Sequence, residues 1–186
     1  MSPIRLKTPR VPTVSMEEYR RLQKELFNVD VPVDAPPPLN IGRTWLRNPK
    51  LAVAQRAYQQ HLGADSTLPH RDHELVILRI GWLCQAEYEF SQHKGREGVT
   101  LEDAKRVTLG SGAPGWSEWD SVLIRAVDEL YLEHIILDHT WAQLAAKYSI
   151  EQIMDMVVLI GRYYTVSIVL NTLGVQLEEG KTGFPD

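Results

Sequence analysis

Glu89 and His93 stand four residues apart in the polar segment Glu87-Tyr88-Glu89-Phe90-Ser91-Gln92-His93. On a helix, positions i and i+4 differ by only about 40° around the axis, so a carboxylate and an imidazole would share one face. Such a pair can move a proton, with the carboxylate setting the ring tautomer. It can also be half of a metal site, which would need further ligands from Glu74 or another subunit. Glu74 follows His73 and opens the apolar run Leu75–Leu83 that precedes the pair. Enclosed by Leu78, Trp82 and their neighbours, its carboxyl would titrate above the usual range and could share protons. Tyr88 suits either core packing or a hydroxyl donor in a pocket. Arg79 and Arg162 each interrupt an apolar run. A buried guanidinium needs a carboxylate, from the protein, a neighbouring subunit or a ligand. Arg79, Trp82 and Arg162 are therefore the candidates for substrate binding, although Trp82, like Trp116, also suits a core or an interface. Glu87 reads as a first-turn helix charge. His61, His70, His73, His134 and His139 fall at no recognisable ligand spacing, and no metal is assigned.

These residues need a frame to hold them. A chain of 186 residues, 44% apolar and 24% charged, can bury a substantial core. A net charge of −4, with Lys and Arg scattered, argues against nucleic acid or an anionic membrane as the main partner. The longest apolar run, Met156–Leu170, is broken by Arg162 and shorter than the roughly 20 residues of a membrane span, so it is expected to be a buried helix. Met1–Lys7 contains no apolar run, and a cytoplasmic protein is expected. The single cysteine, Cys84, rules out an internal disulfide and a cysteine-based zinc site, and its apolar neighbours suit an inert thiol.

The periodicity predicts an all-α chain. Residues 1–38 form a proline-rich arm, of which 1–14 are mobile or wrapped, with one short helix from a Ser15/Glu18 capping box to about Phe27. Residues 39–186 form a single helical domain. Short helices are expected over Ile41–Arg47 and from Pro49 to about Leu62, with Gly63 as C-cap. Two more cover about Asp72–Cys84 and Glu87–Glu97. Thr100 with Asp103 caps the next, which ends near the turn-rich Gly110–Gly115. Ser117 caps a helix through about Ile136, Asp138 caps another, and a Ser149/Gln152 capping box opens the last, which ends near Gly174. A weak internal repeat is visible. In each half a long apolar helix, a shorter one and a Ser/Thr-capped one follow in order, with Ala142 where His93 stands.

The segments Arg71-Asp72-His73-Glu74-Leu75-Val76-Ile77-Leu78-Arg79 and Glu87-Tyr88-Glu89-Phe90-x-x-His93 together resemble the carboxymuconolactone decarboxylase family, which includes the alkylhydroperoxidase D-like proteins. Asn40-Ile41-x-Arg43-Thr44, Val127–Leu130 and Leu159–Tyr163 extend the resemblance over most of the chain beyond residue 39. It implies an all-helical fold assembled as a homotrimer or homohexamer, with pockets near subunit contacts. It also implies a site drawn from Glu74, Glu89 and His93. The family's two peroxidatic cysteines fall on Ala86 and Glu89, so thiol-based peroxide reduction is chemically unavailable. The decarboxylase branch, with Glu-x-Glu-x-x-x-His, is matched by Glu87, Glu89 and His93.

The expected function is a cofactor-independent enzyme acting on a small carboxylated or carbonyl-bearing metabolite, most concretely a decarboxylase working through an enolate. His93 would be the acid/base, Glu89 would orient it, and Arg79 could hold the substrate carboxylate. A metal-dependent or peroxidase-derived oxidoreductase and a non-catalytic ligand-binding oligomer are the alternatives.

Overall fold

Alternation of apolar and polar side chains at helical spacing gives nine helices among the described residues, 6–185, of a computed structural model, and no strand. They are α1 (Met16–Phe27), α2 (Asn40–Trp45), α3 (Pro49–Ala64), α4 (His70–Leu83), α5 (Glu87–His93), α6 (Leu101–Thr108), α7 (Glu118–Leu132), α8 (Asp138–Ala145) and α9 (Ile150–Leu173). The chain divides into two compact units. One holds the described residues up to Asp65 together with Leu170–Lys181, and the other holds Ser66–Val169 and the segment from Thr182. The position between residues 38 and 39, where the proline-rich arm was expected to give way, lies inside the first unit.

In the first unit, Val14, Leu22 and Leu46 form a small core with Tyr19, Leu26 and Phe27 against them. Residues 6–14 are wrapped. Val14 is fully buried, and the Arg10 and Val11 amides donate to the Leu173 carbonyl. The expected arm residues 1–5 lie outside the described residues. Ser15 supplies its half of the capping box, accepting from the Glu18 amide at 3.1 Å, while the Glu18 carboxylate faces Arg47 at 3.7 Å.

The second unit holds the candidate site. Its core joins Leu75 and Leu78 of α4, Phe90 of α5, Ala104 and Val107 of α6, and Ile124 of α7. α4 is the central element, packed against α5, α6 and α7. Buried carboxylates fix its first turn. Arg71 reaches Asp103 at 3.0 Å and Asp120 at 3.1 Å. The buried Asp72 accepts from Trp119 Nε1 at 2.8 Å and from the Tyr148 hydroxyl at 2.5 Å. The segment from Thr182 straps α5. The Thr182 carbonyl accepts from Ser91 at 2.7 Å, and Phe184 packs edge-on against Trp82 and Phe90.

Several helix ends differ from the sequence reading. α3 runs one residue past Gly63, and Asp65 caps it. α4 starts at His70, two residues early, after Pro69. α5 stops at His93 because Lys94 is extended. α7 stops at Leu132, since His134 adopts a left-handed φ of 62° that cannot continue a helix. Asp138 is the first residue of α8 and not its cap, which is Leu137. α9, expected to be a buried helix, is buried over less than half of its most apolar stretch. Met154, Val158, Tyr164 and Ile168 are exposed along it.

Candidate active site

Close approach of α5 to α4 creates the site. Gly81 of α4 lies where a Cβ would stand 3.7 Å from the Phe90 amide nitrogen and 3.8 Å from Glu89 Cβ, so α5 packs there almost backbone to backbone. Glu89 and His93 occupy one buried face of α5, and Glu74 comes from the first half of α4. His93 Nδ1 lies 2.7 Å from Glu74 Oε2, and His93 Nε2 lies 2.8 Å from Glu89 Oε1. The side chains of Glu74, Glu89 and His93 are only 3%, 7% and 3% exposed. The i, i+4 pair read from the sequence is therefore formed, and Glu74 joins it from the other side of the ring.

Two short contacts to carboxylate oxygens fix a proton count. A neutral imidazole donates from one nitrogen and accepts at the other, while an ionised carboxylate only accepts. Both contacts are satisfied only when the three groups share two protons, either as an imidazolium between two carboxylates or with one carboxyl protonated. Burial alone would strip the charge from His93, but hydrogen bonds to Glu74 and Glu89 and their charges outweigh it and raise its pKa above the ordinary value. Burial alone would likewise raise Glu74, as the sequence reading expected. Hydrogen bonds from His73 and His93, with the charges of His93 and Arg96, instead lower it to about 2. That expectation fails because Glu74 accepts hydrogen bonds from two histidines and faces the Arg96 charge, as well as apolar groups.

His73 and Arg96 were not singled out from the sequence as site residues. His73 Nδ1 lies 3.3 Å from Glu74 Oε1, and Arg96 Nη1 lies 3.8 Å from the same oxygen. Tyr163 of α9 meets the His93 ring edge-on, with centroids 5.3 Å apart and planes at 87°. Burial, then the nearby Glu89 and Glu74 charges, push its hydroxyl pKa upward, so it stays a proton donor. Position was the available signal: His73 adjoins Glu74, Arg96 follows His93 by three residues, and Tyr163 ends the Leu159–Tyr163 segment.

The remaining candidates divide. Tyr88 is buried on α5. Arg162 is half-buried next to Tyr163, on whose hydroxyl its charge acts. Arg79 is not directed to a substrate: its Nε holds Asp128 Oδ1 at 2.6 Å and its Nη1 donates to the Val107 carbonyl at 2.7 Å. Five residues from Glu74, it points about 140° away around α4. Trp82 is a core aromatic, packed on Phe90 and Phe184. Burial pushes the Cys84 thiol up to about 11, which suits an inert sulfur. Among the described residues, no group of three or more His, Cys, Asp or Glu side chains converges as metal ligands.

No protein-family model and no curated protein matches the sequence. Solved structures do match by shape. One is a protein of unknown function from Agrobacterium tumefaciens, proposed as the antioxidant-defence protein AhpD. It is 19% identical, with a TM-score of 0.64, over 72% of this chain and 94% of that one. A peroxidase-related protein from Silicibacter sp. TM1040 matches at 13% identity and a TM-score of 0.67, over 96% and 94% of the two chains. A cysteine-to-alanine variant of the debrominase Bmp8, in complex with 2,3,4-tribromopyrrole, matches at 15% identity and a TM-score of 0.70, over 93% and 94%. Shared architecture over nearly the whole chain, at identities too low to carry an activity across, identifies the alkylhydroperoxidase D-like fold as the fold of this protein.

Proposed function

We propose that this protein is a cofactor-independent enzyme that moves protons at carbon in a small carboxylated or carbonyl-bearing substrate, most concretely a decarboxylase acting through an enolate. The observation that carries this reading is the buried His93 ring held at both nitrogens by carboxylates. With both nitrogens engaged, a proton leaves the centre through a carboxylate oxygen, and Glu89 is the more exposed of the two. Glu89 therefore meets the substrate, His93 relays the proton behind it, and Glu74, hydrogen-bonded to His73 and facing Arg96, balances the charge. This reverses the roles first given to Glu89 and His93.

In decarboxylation, the bond from the substrate carbon to its carboxylate breaks and carbon dioxide leaves. The electron pair delocalises onto the adjacent carbonyl oxygen, and the carbon then takes a proton from Glu89. Tyr163, kept protonated, is suited to hold the enolate oxygen. Arg96, well exposed beside Glu74, replaces Arg79 as the candidate for the substrate carboxylate. We place the enzyme in the cytoplasm as a homotrimer or larger homo-oligomer, with neither nucleic acid nor membrane as partner. Its net charge and its exposed apolar α9 face support this.

The test is an NMR assay in heavy water of a panel of β-keto acids and carboxylated lactones. At least one should show carbon dioxide release with solvent deuterium entering the adjacent carbon. His93→Ala and Glu89→Gln should each slow it by roughly 100-fold or more, the usual contribution of a positioned acid/base. If no panel member exchanges or decarboxylates, or if the variants retain the full rate, the reading fails. The peroxidase-related and debrominase fold neighbours support a second reading, an oxidoreductase. A stoichiometric transition metal in untagged protein would favour it.

A further inference from the structure

A second concavity lies in the same unit, away from the charged centre. It has a volume of about 280 Å³ and is bounded by Ile80 of α4, Tyr131 of α7, His134 beyond it, and Ile160, Gly161 and Tyr164 of α9. None of Glu74, Glu89, His93 or Tyr163 lines it. Its walls are largely aliphatic, with the Tyr131 and Tyr164 rings meeting edge-on 6.0 Å apart. Polar capacity is limited to the two phenol hydroxyls and the His134 ring. An apolar hollow with a few convergent polar groups is the general form of a small-molecule site.

Gly161 keeps this hollow open. It sits inside a 24-residue helix, where glycine is the poorest residue after proline. A Cβ there would meet no heavy atom within 4 Å. Neither backbone geometry nor neighbour crowding requires the glycine, and any larger side chain would project into the cavity.

We infer that this cavity binds a small, neutral, largely apolar ring compound carrying one hydrogen-bonding substituent. Size sets the class, since an apolar cavity of about 150 Å³ already accepts benzene. A cavity of about 280 Å³ therefore has room for one substituted or fused ring system. The aliphatic walls and tyrosine faces grip the ring, and a hydroxyl or His134 takes its polar group. This site is distinct from the proton-moving one, yet the same helices serve both. Ile80 precedes Gly81, which backs Glu89, and Tyr164 follows Tyr163, which meets His93.

Indole is a suitable probe, being a fused ring with one N–H. In an NMR titration of the full chain, saturable shifts are expected at Ile80, Tyr131, Ile160 and Gly161. Gly161→Ala should weaken binding by threefold or more and Gly161→Leu by tenfold or more, with helix content unchanged by circular dichroism. His93→Ala should bind indole within twofold of the native protein, which separates this site from the catalytic reading. Absence of saturable shifts at these residues would overturn the inference, as would Gly161→Ala and Gly161→Leu retaining native affinity. So would an oligomer that Gly161→Leu dissociates while the native protein ignores indole, because the hollow would then be a seat for a second copy's side chain.

Discussion

At His93, two carboxylates act on one ring, and the pH dependence of stability follows from the signs of the shifts. Glu74 falls from an ordinary 4.5 to about 2, so its contribution is present above about 4.5 and is lost as pH drops through 2. His93 is raised above its ordinary 6.5, so its contribution is complete below 6.5 and is lost as pH climbs through the raised value. The cluster thus stabilises most between about 4.5 and 6.5. Glu74→Gln should cost about 3 kcal/mol or more at pH 6, because it leaves a buried charge without its partner. Its stability should also fall less steeply than the native protein's below pH 4.5. Urea denaturation across pH 2–8 measures both, and parallel curves for the two proteins would contradict the assignment. The Glu89–His93 pair was legible because i, i+4 spacing is local. Glu74's charge state was not, because it depends on His93 and Arg96, which only folding brings to its carboxylate. Arg79 was misread for a related reason: the need for a partner shows in the sequence, while the partner's identity, Asp128, is 49 residues away.

Among the elements, α6 tests how far a helix depends on its first turn. Thr100 Oγ1 accepts from the Asp103 amide at 3.0 Å while the Asp103 carboxylate accepts from the Thr100 amide at 2.9 Å, so both halves of the capping box are made. That carboxylate also holds Arg71 of α4. Thr100→Ala should therefore cost about 1–2 kcal/mol in chemical denaturation, at or above the usual loss of a cap. A change below 0.3 kcal/mol, roughly the size of a neutral surface substitution, would show that Asp103 holds the turn alone. This box and the Ser149/Gln152 pair were readable because Ser, Thr, Asp and Gln at three-residue spacing identify a helix start. Helix ends were read less well. α5 and α7 stop short of their expected ends, at Lys94 and at His134, where backbone conformation ends the helix.

For the whole molecule, the exposed stripe of α9 is the feature most at odds with an isolated chain. Ile150, Met154, Val158 and Ile168 project within about 80° of one another around the helix, beside the cavity, so they share a face that this chain leaves uncovered. Light scattering of the purified protein should give the mass of a trimer or larger, and a stable monomer at micromolar concentration would remove assembly from the proposed function. The all-helical class was legible from periodicity. The uncovered stripe was not, because apolar content alone does not say which face the rest of the chain will cover. One consequence concerns biosynthesis. Sorting machinery reads an emerging segment by hydropathy before any tertiary structure exists, and α9 is apolar enough by length and composition to pass for a span. Arg162, near its middle, is a strongly disfavoured residue there, with Glu151 and Asp155 nearer the start, and it is charged at a depth where insertion is opposed by roughly 2.5 kcal/mol or more. Its side chain would act first as a safeguard against misrouting, so Arg162→Leu should shift newly made protein toward the lipid fraction on cell fractionation. An unchanged distribution would show that the safeguard lies elsewhere.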